Sequence, residues 1–131
     1  MLSRYTMYRR RPVNAGPLPA GIRQDARYHT SHILHPTADI IETYLNNPTD
    51  AAWRRLKSEY LALLEQRFRE DRTHFDDLAK LATENNVYLG CNCPTKKNPL
   101  PGHCHTYLAL GFMKKHYPKL KVEIPSLPRE N

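Results

Sequence analysis

Apolar positions recur at steps of three and four from residue 37 to residue 82, and this spacing predicts helices. Thr37 caps a first helix that runs to about Asn46, ahead of Pro48. Ile40, Ile41, Tyr44 and Leu45 form its inward stripe. Thr49 caps a longer helix from Asp50 to about Arg69, with Trp53, Leu56, Tyr60, Leu63, Leu64 and Phe68 on one side and mixed charge on the other. Trp53 reads as a core anchor. Thr73 and Asp76 resemble a capping box for a third helix that buries Phe75, Leu78, Leu81 and Ala82. Asn85-Asn86 would end it in the left-handed conformation.

The pattern then changes. Val87–Cys91 is short and apolar, as expected of a central strand covered on both faces. A polar loop follows, and an apolar helix begins near His105 and stops at Pro118. Leu120, Val122 and Ile124 alternate with charged residues, so 119–124 reads as an edge strand. Near the start, Tyr5 and Met7 suggest a strand with a basic face, while residues 14–36 read as an irregular surface segment. The expectation is an α/β fold: a small, mainly parallel sheet covered by helices, in one domain spanning 1–131, with a loose tail at 125–131.

Composition adds limits. A chain of 131 residues suffices for a modest core, and no run approaches the roughly 20 apolar residues of a membrane span. The Arg-rich start lacks the apolar stretch of a secretory signal, so a cytoplasmic location is expected. A net charge of +7 favours an anionic partner, a small molecule or nucleic acid. Arg9–Arg11, Lys96–Lys97 and the lysines at 114, 115, 119 and 121 carry much of the charge. Neither phosphate-binding glycine motif occurs.

The chemistry gathers at residues 91–106. All three cysteines lie there, as do His103 and His105. An odd count that includes Cys-x-Cys does not suggest a disulfide framework. One possibility is a pocket for a phosphate-bearing ligand or nucleic acid at Cys91 and the helix start, with Thr106, the first-turn amides, Lys96 and Lys97 as donors beside Cys104 and His105. A second is a metal site drawn from Cys91, Cys93, His103, Cys104 and His105. Zinc takes four such ligands, although Cys-x-Cys is tighter than the usual spacing. A third is an enzyme with a reactive Cys104 and His105 as base. The remaining one is inert burial. His29, His32 and His35 recur every three residues without a thiol or carboxylate, and read as a polar loop or a single helical turn.

Pro36-Thr37, Trp53, Tyr60, Phe75, Leu78-Ala79, Leu81-Ala82, the Val-x-Leu-x-Cys strand and Cys104-His105, taken in order, resemble the YeaO-like family of bacterial proteins over about residues 30–117. That family's activity is not established. The resemblance implies a compact α/β fold with the Cys-His turn at the carboxyl edge of the sheet. Cys91 and Cys104-His105 match its pattern. Cys93 stands where a Glu is common, which favours a metal, and Thr106 stands where an Arg is common, which weakens an anion clamp. Lys96 and Lys97, in a longer loop, would replace that charge.

Overall fold

The computed structural model describes residues 1–126 apart from positions 94, 96, 97, 99 and 101. Three strands, β1 (Leu2–Thr6), β2 (Ile22–Asp25) and β3 (Val87–Cys91), form a parallel sheet in the order β1-β3-β2. The expected α/β architecture is therefore present, with Val87–Cys91 at its centre. Leu2 and Ile22 both pair with Val87, and Thr6 reaches Cys91. All three strands thus finish at the same edge. Val87, Leu89 and Cys91 are buried, as suits a strand flanked on both sides.

Four helices follow the apolar periodicity: α1 (Ala38–Asn46), α2 (Asp50–Glu70), α3 (Arg72–Glu84) and α4 (His105–His116). Thr49 caps α2 by accepting from the Ala52 N–H at 3.1 Å. α4 packs on β1 and β3, and α2 packs on α1, α3 and α4. The core includes Tyr44, Tyr60, Leu64, Phe75, Leu89 and Leu110. Among the described residues, no helix is long and apolar enough to cross a membrane.

Several sequence expectations are corrected. Residues 14–36 are not wholly irregular, because they contain β2. That strand is polar and short because it is an edge, held to β3 mainly through backbone bonds. Gly21 precedes it at φ +140°, where a Cβ would meet the Asn86 carbonyl oxygen at 2.5 Å. The basic strand face also fails. β1 ends at Thr6, before Met7 and Arg9–Arg11, and Arg11 turns back to donate to the Gly16 and Pro17 carbonyls at 2.8 and 3.2 Å.

The edge strand at 119–124 reduces to one parallel bridge, Val122 to Leu2. α3 starts at Arg72, with Asp71 before it, so the Thr73–Asp76 box does not form. Asn85 ends α3 in extended backbone at φ −142°, not in the left-handed region. Thr37 precedes α1, but its side chain makes no capping bond to the backbone.

The segment after β2 is tied down from α2. The Tyr60 hydroxyl donates to the Leu34 carbonyl at 2.6 Å, and Arg67 donates to the Ile33 and His35 carbonyls at 2.8 and 2.6 Å. His32 and His35 are spent on local bonds and present no metal face. His35 Nδ1 meets the His32 carbonyl at 2.6 Å. His32 Nδ1 accepts from the Leu34 N–H at 3.1 Å, and Nε2 meets Gln24 Oε1 at 2.7 Å.

Burial, and then the charges of His105 and His35, hold His32 at about 4, below the ordinary histidine value. The depressed value means that, below about 6.5, the unfolded chain binds a proton that the folded chain refuses. Stability should therefore fall between pH 6.5 and 4, by at most roughly 3 kcal/mol. Urea unfolding of His32→Gln should show a flatter pH profile over that interval.

Candidate metal centre

Cys91 ends the central strand, Cys93 lies two residues beyond it, and Cys104 immediately precedes α4. The fold brings the three sulfurs within 4.8 Å of one another. They can hold a metal ion. Cys91 Sγ and Cys93 Sγ are 3.7 Å apart. Two sulfurs on one tetrahedral zinc, at its usual bond length of about 2.3 Å, would be separated by about 3.8 Å. His105 Nδ1 stands 3.9 Å from Cys91 Sγ. Its Nε2 lies 2.7 Å from the Ala26 carbonyl oxygen, so that nitrogen carries the proton and donates. With the ring neutral, as a bound metal would require, Nδ1 is the unprotonated nitrogen, and it faces Cys91 Sγ. Metal-bound histidines are commonly held this way through their far nitrogen.

Other side chains fix the sulfurs. Asn98 Nδ2 donates to Cys93 Sγ at 3.3 Å and to the His103 carbonyl at 2.6 Å. Arg4 Nε donates to Thr106 Oγ1 at 2.8 Å. That bond occupies the hydroxyl as acceptor and leaves its own proton for Cys104 Sγ, 3.1 Å away. The Cys93 carbonyl accepts from Arg4 at 3.4 Å and from Thr6 at 3.3 Å. Donors thus face the sulfurs from the loop and from α4, while β1 holds the Cys93 carbonyl and the Thr106 hydroxyl. Arg4 thus brings a guanidinium from β1 to the start of α4.

The thiols titrate together, because like charges this close oppose one another. Hydrogen bonds from Cys91 and Cys93 hold Cys104 well below the usual thiol range. The bond to Cys104 is also the chief reason that Cys91 is raised and that Cys93 is pushed up to about 12. Burial works against charge on His105, but hydrogen bonds with Cys104 and Cys91 outweigh it and raise it to about 10. Without a metal the cluster thus favours one thiolate beside one imidazolium. Full ionisation of all three sulfurs needs a cation among them.

A cavity of about 310 Å³ opens beside the sulfurs. Cys91, Cys93, Cys104 and His105 line one side, and Ile41, Leu45 and Leu56 line another.

The other sequence candidates divide. Thr106 is fully buried and its hydroxyl is engaged, so it is not a donor to a ligand. His103 belongs to the wall: it stacks on Trp53 at 4.4 Å, and its Nδ1 meets the Tyr44 hydroxyl at 2.6 Å. Trp53 is half-buried and packs against the core while its ring also stacks on His103. Lys96 and Lys97 lie outside the described residues.

Sequence reasoning missed Arg4, Thr6, Asn98 and the Ala26 carbonyl. Only Arg4 left a trace there, as a charge between Leu2 and Tyr5 in an otherwise uncharged strand. No family model, curated protein or solved structure matches the chain. The chain is an α/β protein with a three-thiol cluster, Cys91 and Cys104 buried and Cys93 partly so, at the carboxyl edge of its sheet.

Thr106→Val removes the hydroxyl between Arg4 and Cys104 and leaves a partly buried guanidinium short of an acceptor. Urea unfolding with a chelator present should show a loss of about 1–3 kcal/mol. Thr106→Ser should recover most of it.

Proposed function

We propose that the chain is a zinc-binding protein whose metal joins the end of the sheet to the start of α4. Cys91, Cys93 and Cys104 supply three thiolates, and His105 supplies Nδ1 as the fourth donor. The observation that carries this reading is the mutual approach of three sulfurs with an imidazole nitrogen beside them. Soft sulfur with one borderline nitrogen is a ligand set that zinc takes in structural sites. With His105 drawn in beside the three thiolates the ion would be coordinatively closed, and its role would be to hold the fold together rather than to activate water.

Burial favours this over a reactive cysteine: Cys104 is only 1% exposed, so an outside electrophile has little access to it. The reading of the turn itself as a phosphate clamp loses its Thr106 hydroxyl to Arg4 and Cys104.

Protein purified without chelator or affinity histidines should contain about one zinc per chain by elemental analysis. Cys91→Ser, Cys93→Ser and Cys104→Ser should each reduce that content severely. Cobalt in place of zinc should give the strong visible absorption of a tetrahedral thiolate site. Wild-type protein holding less than about a tenth of a zinc per chain, even after refolding with zinc, would overturn the proposal.

A further inference from the structure

The cavity beside the sulfurs is not needed to bind a metal, yet it has the size and lining of a small-molecule site. Its volume of about 310 Å³ lies at the lower end of the range for ligand pockets. Ile41, Leu45 and Leu56 provide an apolar wall, and Arg27 and Asn92 provide polar groups.

Arg27 decides the chemistry. Asp25 accepts from its Nε at 3.0 Å and from its Nη2 at 2.8 Å. The backbone N–H of Arg27 also donates to Asp25, at 3.1 Å. The guanidinium is therefore held in a fixed direction, and little side-chain freedom remains to be lost on binding. Nη1 has no acceptor among the described residues. An anionic oxygen is the strongest partner for such a group. Cys91, Cys93 and Cys104 are also part of the lining, and with zinc bound they would be metal ligands rather than free thiols.

We propose that this cavity binds a small organic anion, a carboxylate or phosphate monoester with an apolar body, whose head is held by Arg27 and whose body lies on Ile41, Leu45 and Leu56. This rests on the zinc reading only in that the cysteines that would hold the metal are part of the cavity lining. Asp25 offsets much of the long-range field of Arg27, so the head is held by direct hydrogen bonds. Binding should then depend weakly on salt, unlike a polyanion spread over scattered surface arginines and lysines.

The test is calorimetric titration of the zinc-loaded full chain with phenyl phosphate, benzoate, neutral benzamide and inorganic phosphate, with zinc measured in each sample. Phenyl phosphate or benzoate should saturate one site, benzamide should not, and inorganic phosphate should bind more weakly than its phenyl ester. Arg27→Gln should weaken binding by about tenfold or more. Leu45→Trp, which fills the cavity without touching the polar groups, should abolish it while zinc content stays that of wild type.

Binding of neither organic anion below about 10 mM overturns the proposal, as does an Arg27→Gln chain that binds like wild type. A tenfold loss of affinity between low and high salt would move the anion to the basic surface and also overturn it. A chain free of zinc that still binds phenyl phosphate through Arg27 would sustain this inference and overturn only the metal reading.

Discussion

The two backbone ladders on either side of Val87–Cys91 are the constraint from which everything else follows. β1 and β2 both pair with β3 in parallel, so all three strands end together. Thr6, Asp25 and Cys91 are therefore brought to one edge, although β1 and β3 are about eighty positions apart in the chain. Parallel pairing cannot be made by a hairpin, so α1, α2 and α3 are the connection it requires between β2 and β3. The same pairing places the carbonyl of Ala26, just past β2, where His105 can reach it.

The helices were legible because each one buries a stripe, and a stripe leaves a period of three to four. β3 was legible because a strand covered on both sides is apolar throughout. β2 was not, because an edge strand needs only backbone bonds along one side, and its Ile22-Arg23-Gln24-Asp25 carries no alternation. The bridge at Val122 shows the converse: residues 119–124 alternate well, yet only one position pairs. Sequence clustering located the cysteines and His105. It could not find Arg4, Thr6 or the Ala26 carbonyl, since these arrive from strands far away in sequence and a backbone carbonyl has no residue type. His103 was misleading for a related reason. It neighbours Cys104 in sequence, but its ring turns to Trp53 and Tyr44 instead.

Two kinds of charge control coexist at the sheet edge. Arg27 is almost balanced by Asp25, and its worth lies in direction. Arg4 reaches the sulfurs through the Thr106 hydroxyl and the Cys93 carbonyl, so its charge acts through hydrogen bonds that also fix geometry. Neither arrangement is visible in a net charge of +7, which is a sum over groups with separate tasks.

The bond from Arg4 to Thr106 spans 102 positions. A partially folded chain in which α4 has docked but β1 has not would hold its cysteines without that reinforcement. Closing so long a loop is entropically slow compared with forming the helices. Cation capture of the kind proposed would therefore come late, coupled to insertion of the first strand, and occupancy of the cluster would report whether β1 has met the start of α4.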